Sequence, residues 1–219
     1  MPLSDRFQSQ VALLIEVLPF VAAETVFALK GGTAINLFVR NMPRLSVDID
    51  LTYLPVAPRP ESLSAIDGAM KRMAEATKDG IRDARVNEVV NRAEGIVTKL
   101  TVQRSDAQIK VEVTPVLRGC VFEPELRTVS PKVEEAFGFA ETQVVSFSDL
   151  YAGKIVAART GSTRATSSTC ATCWRTKASV KICAAPLSFT SSAMTVRFQK
   201  SLFLGSKTSR RNSSRASME

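Results

Sequence analysis

The chain of 219 residues contains no histidine and only four cysteines. Cys170-Ala-Thr-Cys173 has the spacing of half a zinc site or a redox pair, but there is no second C-x-x-C and no histidine to complete it. Cys120 stands alone and reads as a small apolar filler. No apolar run reaches the length of a membrane helix: Phe20 to Ala28 is broken by Glu24 and followed by Lys30. The opening Met1-Pro-Leu-Ser-Asp-Arg6 has no basic lead into an apolar segment, which argues against a signal peptide. The expected location is the cytoplasm, away from membranes.

The net charge of +8 is unevenly spread. Ile155 to Glu219 holds 11 of the 29 basic residues and one of the 21 acidic ones. That segment is therefore +10 and the remainder −2, so the basic character belongs to the tail and not to a nucleic-acid-binding body. Thr160 to Thr195 has no aspartate and no sustained period of 3.6 or 2. A disordered basic tail is one reading. The genetic code offers another. With permitted codons, Thr160 to Trp174 shifted by two bases reads R-Q-H-P-R-D-L-F-D-V-R-D-L-L, and the run continues as a turn and a second amphipathic stretch. Our expectation is a frame-shifted or truncated product after about residue 158. The expected organisation is a catalytic-type domain over 1–125, the start of a helical domain over 126–158, and an aberrant Ser/Thr-rich tail over 159–219.

The body has a clearer grammar. Phe7, Val11, Leu14, Ile15 and Leu18 form a helical stripe, with Asp5 as cap and Pro19 as expected terminator. Val26 to Leu29 reads as a short strand, Gly31-Gly32 as a turn and Thr33 to Val39 as a short helix. Leu45 to Leu51 alternates cleanly: Leu45, Val47, Ile49 and Leu51 on one face, Ser46, Asp48 and Asp50 on the other. Ser62 to about Thr77 is an expected helix with Ser62 as its cap. Gly95 to Val102 and Ala107 to Val113 are expected strands about a turn at Arg104-Ser-Asp-Ala107, with Pro115 ending the second. Val121 to Pro131 reads as irregular or edge-like, and Ser146 to Ala157 as a helix. The fold class is α+β, a small mixed sheet with helices on one face.

Two carboxylates two residues apart on a strand share one face, about 7 Å apart at roughly 3.3 Å per residue. Asp48 and Asp50 can thus hold Mg²⁺, since hard divalent ions prefer such oxygens. Gly31, Gly32 and Thr33 offer backbone N–H groups and a helix start to phosphate oxygens, and the Thr33 hydroxyl can donate to one more. The strand Ile109-Lys-Val-Glu-Val113 puts Lys110 and Glu112 on one face, Glu112 as third metal ligand or base and Lys110 as a phosphate neighbour. Lys30 and Arg44 flank this constellation: Lys30 lines the pocket or is a solvated lysine, and Arg44 reaches a phosphate or pairs with an acidic neighbour. Lys154, on the last helix, either meets a triphosphate or is a surface lysine.

Four segments together carry a family likeness: F-A-L-K-G-G-T-A-I-N-L-F from Phe27, R-L-S-V-D-I-D-L from Arg44, I-K-V-E-V from Ile109 and D-L-Y-A-G-K-I-V-A from Asp149. Over about residues 10–158 the chain resembles the AbiEii/AbiGii toxin family of the nucleotidyltransferase superfamily. The resemblance implies a nucleotidyltransferase-like fold with a helical C-terminal domain. It implies a triphosphate and metal site at Gly31, Gly32, Thr33, Asp48 and Asp50, with Glu112 as third acid and Lys154 as the family lysine. It implies an NTP substrate with Mg²⁺, a tRNA 3′ end as acceptor, and a cognate antitoxin in a type IV toxin–antitoxin or abortive-infection system. The family's Arg-Asp pair beyond the lysine is absent from this chain but present in the shifted frame, so weak or no transfer is expected. The alternative is a catalytically impaired nucleotide-binding or interaction protein.

Overall fold

Apolar residues at helical spacing need a surface to cover, and here a sheet supplies it. The computed structural model describes residues 5–40 and 46–159. Helix α1, Asp5–Ala22, buries the expected stripe and also Leu13, Val17 and Val21. It runs through Pro19 and does not stop there. Proline in a helix costs roughly 3 kcal/mol, while burying Val21 returns about 1.5–3 kcal/mol, and the ladder resumes at once with Ala23 N–H donating to the Pro19 carbonyl at 3.1 Å.

Strand β1, Phe27–Lys30, leads directly into α2, Gly31–Thr33, and a π-helical turn, Ala34–Val39. The clean alternating strand is β2, Asp48–Tyr53, with Ile49 and Leu51 fully buried. Helix α3, Arg59–Gly80, starts earlier than expected. Pro60 lies in its first turn, where no N–H is needed. Ser62 is therefore no cap. It is buried inside the helix, donating to the Ala57 carbonyl at 3.1 Å and accepting from Arg118 at 3.0 Å.

Strand β3, Arg85–Asn91, had no counterpart in the sequence reading. It is an edge strand that buries only Val86, leaving Val89 and Val90 exposed, so it lacks the alternation that marks a half-buried strand. Strands β4, Ile96–Arg104, and β5, Ala107–Arg118, form the expected hairpin with Ser105 in the left-handed region at φ 51°. Pro115 does not end β5. It falls where the β2–β5 register shifts, and a proline is tolerated at such an irregularity because no ladder donor is lost.

Strand β6, Glu125–Thr128, is the expected edge, followed by α4, Pro131–Phe137, β7, Glu141–Val144, and α5, Phe147–Arg159. The sheet order is β3-β4-β5-β2-β1-β7-β6. Pairs β2–β5 and β1–β7 are parallel and the rest antiparallel, so the sheet is mixed and the fold α+β, as expected. The boundary expected at residue 125 falls on the first residue of β6, and residues 125–144 add two strands to this same sheet.

Helices α1 and α3 cover one face. Arg104 of β4 pairs with Glu16 of α1, and Lys78 of α3 with Glu88 of β3. That face carries Leu29, Ile49, Leu51, Leu100, Val102, Ile109 and Val111, all buried in one core with both helices. The alternate positions of the central strands carry the polar residues, and alternation alone puts them on the other face.

Candidate active site

Strand register brings four charged residues into one line. Asp50 of β2 is level with Lys30 of β1 on one side and Glu112 of β5 on the other. Glu112 is in turn level with Lys99 of β4. Neighbouring strands lie about 4.8 Å apart, so Lys99, Glu112, Asp50 and Lys30 form a row across four strands. One step along, Asp48 is level with Lys110, and Lys110 with Thr101. All these side chains share the polar face.

The Gly-Gly turn lies against this row. Gly31 has φ +80°, a conformation that L side chains rarely adopt, and a Cβ there would sit 2.1 Å from Asp50 Oδ2. A Cβ on Gly32 would sit 2.8 Å from the Ser46 hydroxyl. Gly31 needs glycine on both counts, the backbone conformation and the approach of Asp50, whereas at Gly32 only the Ser46 side chain stands in the way. The first N–H groups of a helix have no partner within it, so the chain entering α2 can present donors beside Asp50.

Thr33 does a different job from the one expected of it. Its side chain is fully buried. The hydroxyl proton goes to the Asp48 carbonyl at 2.5 Å, and the Ser46 hydroxyl lies 3.0 Å away. This hydroxyl is committed to tying the turn to the start of β2 and is not offered to a phosphate. Replacing Thr33 by Val keeps the shape and removes the tie. The expected cost is about 1–2 kcal/mol, read as a lower urea midpoint with an unchanged slope.

Burial pushes the Asp50 carboxyl pKa above its ordinary value. Lys30 pulls it back, Asp48 and Glu112 push it further up by repulsion, and Lys154 pulls it down. Burial likewise lowers the Lys30 pKa, against the attraction of Asp50. Lys154 is thus placed within electrostatic reach of Asp50. Helix α5 carries it there, and α5 is anchored at its start: Ser146 accepts from Asp149 N–H at 3.1 Å, while Asp149 accepts from the Val121 and Phe122 N–H groups at 3.2 and 3.0 Å. Asp149 is a cap-region acid.

The structure therefore gathers Lys30, Gly31, Gly32, Thr33, Asp48, Asp50, Lys110, Glu112 and Lys154 around one end of β2. Arg44, together with Cys170, Cys173 and the tail, lies outside the described residues. Cys120 is half-buried, and burial followed by Asp149 and Glu123 raises its thiol pKa, which does not favour a thiolate nucleophile. Lys99 is the residue that sequence reasoning missed. Its ammonium is ion-paired with the Glu112 carboxylate.

As for a metal, the donor chemistry suits a hard divalent ion: three carboxylates on one face, with mutual repulsion that a cation would relieve. Among the described residues, however, no three acids converge as a ready ligand set. Asp48 and Asp50 fit the role; Glu112, expected as the third ligand, is the partner of Lys99 as placed.

A mixed sheet that sets a Gly-Gly turn on one of two strand carboxylates, flanked by lysines, defines a domain of the nucleotidyltransferase type. The chain belongs to the family of AbiEii nucleotidyl transferase toxins of type IV toxin–antitoxin systems, whose family model matches residues 12–169. No curated protein matches it. Among solved structures it is similar to MenT4, a nucleotidyltransferase toxin from Mycobacterium tuberculosis, at 20% identity and a TM-score of 0.49, over 70% of this chain and 52% of that one. The chain thus spans about half the length of that relative. No helix among the described residues is long and apolar enough to cross a membrane.

Proposed function

We propose that this toxin-family chain transfers a nucleoside monophosphate from an NTP to an acceptor hydroxyl, with tRNA 3′ ends as the acceptor and a cognate antitoxin as its regulator. The observation that carries the reading is the close approach of Gly31 to Asp50, which supports a single ligand meeting both the N–H groups of the turn and the carboxylate. Asp48 and Asp50 would hold a Mg²⁺ ion. When bound, that ion would offset charge on the triphosphate and make the attacking hydroxyl more acidic. The acceptor hydroxyl gives up its proton to solvent, its oxygen bonds to the α-phosphorus, the bond from the α-phosphorus to the α–β bridging oxygen breaks, and pyrophosphate leaves. Lys30 and Lys154 stand beside Asp50 as counter-charges for the phosphates, and Lys110 stands beside Asp48.

A second reading, nucleotide binding without turnover, is favoured by the engagement of Glu112 with Lys99, which leaves two acids and not three. Labelled NTPs, Mg²⁺ and total tRNA separate the two. The displayed chain and its frame-restored version are compared, each with an Asp48→Ala/Asp50→Ala control. We expect weak label transfer by the displayed chain, strong transfer by the restored one and none by the controls. Mg²⁺-dependent NTP binding with no transfer by either version would establish the second reading.

A further inference from the structure

The row across the sheet is charge-balanced: Lys99 and Lys30 against Glu112 and Asp50. One step along, Lys110 is level with Asp48. Each carboxylate of the site therefore has a lysine one strand away. Among the described residues, Lys99 is the one of these three lysines in direct ion contact with its acid. Both members of that pair are partly exposed, the side chains at 31% and 42%, so the pair is accessible and its rearrangement needs no repacking of the core. Lys99 stands on the opposite side of Glu112 from Asp50, so a Glu112 carboxylate held by Lys99 is drawn away from the other two acids.

We propose that Lys99 is a positioning residue that competes with the divalent ion for Glu112, so that the third carboxylate joins the metal site only when Lys99 is displaced. This rests on reading the face as a metal–triphosphate site. The consequence is a weak site for the free ion. Two carboxylates with lysines alongside have little net charge to offer a dication. A triphosphate supplies further oxygens and charge, so the ion enters with the nucleotide more readily than alone. Lys99 touches neither the turn nor the phosphates in this scheme; it acts through Glu112.

The test uses the full chain and Mn²⁺ alone, followed by the fall in the free-ion electron paramagnetic resonance signal, without nucleotide and at one pH. Lys99→Met removes the competitor and keeps the length of the side chain. Exposed ion pairs are modest in strength, so an affinity gain of about 2–5-fold is expected. Lys99→Arg keeps the competitor and should stay near the parent. In Lys99→Met/Glu112→Gln the gain should vanish, because the freed ligand is gone. Melting curves confirm that each variant is folded. Equal or weaker Mn²⁺ binding by Lys99→Met overturns the role of Lys99 while leaving the site intact. Absence of Mn²⁺ binding in every form overturns the metal site and this inference together.

Discussion

At pH 7 the Asp50→Asn chain, in its frame-restored form, transfers nucleotide at least about a thousandfold more slowly than its parent, yet melts at a higher temperature. The rate loss corresponds to about 4 kcal/mol of transition-state stabilisation, as expected when a carboxylate that holds a metal and faces the triphosphate becomes a neutral amide. The gain in stability follows from the environment of the same group. Burial raises the Asp50 pKa, Asp48 and Glu112 add to the effect, and Lys30 and Lys154 only partly oppose it. The folded protein thus holds the Asp50 proton more tightly than the unfolded chain does. That contribution to stability is complete below the ordinary aspartate pKa and is lost as pH rises through the raised folded value. Above the ordinary aspartate pKa the parent therefore lacks that contribution, because a half-buried carboxyl resists giving up its proton, and the amide removes the cost. Melting curves from pH 4 to 8 should show the advantage of Asp50→Asn growing with pH. Mg²⁺ with NTP should raise the melting temperature of the parent much more than that of the variant. A variant that melts lower at every pH would mean that the attraction of Lys30 outweighs burial, and the electrostatic account of the site would be wrong.

Much of this site was legible because its signals are local. Period-two alternation placed Asp48 and Asp50 on one face, and β2 keeps that pattern with Ile49 and Leu51 turned to the core. Gly31-Gly32 announced a turn, and Lys154 fell on the expected helix. What was hidden depends on pairing between distant segments. Lys99 is one of several polar residues on an alternating strand, and only the β4–β5 register sets it beside Glu112. The role of Thr33 was misread because a hydroxyl after two glycines looks like a phosphate donor until burial ties it to Asp48. Pro19 and Pro115 were read as breakers. A local propensity of a few kcal/mol yields where the flanking residues are buried or where the ladder is already irregular. Strand β3 escaped because an edge strand with exposed valines carries little pattern to read.

Gly31→Ala is the sharper test of the geometry, because it alters no charged group. The added methyl meets two obstacles. At φ +80° an alanine is strained, at a cost of about 1–2 kcal/mol. Its Cβ would also lie 2.1 Å from Asp50 Oδ2 and 2.9 Å from Asp50 Cγ, so something must move. The nearest atom is the far end of a side chain, which yields more readily than backbone. Asp50 is thus expected to swing away while the fold survives. The predicted outcome is a loss of stability of about 1–3 kcal/mol with a transfer rate down about a hundredfold or more, since an ångström of misplacement at a reacting centre is worth that much. Gly95 supplies the control: it too has positive φ, +69°, but a Cβ there meets nothing within 4 Å. Gly95→Ala should show the backbone cost alone and leave transfer unchanged. In the double variant Gly31→Ala/Asp50→Asn the activity losses should fall well short of additive, because the glycine acts on the rate through the carboxylate it touches. Additive losses would show that Gly31 serves the reaction by another route, through its own backbone and not through the position of Asp50.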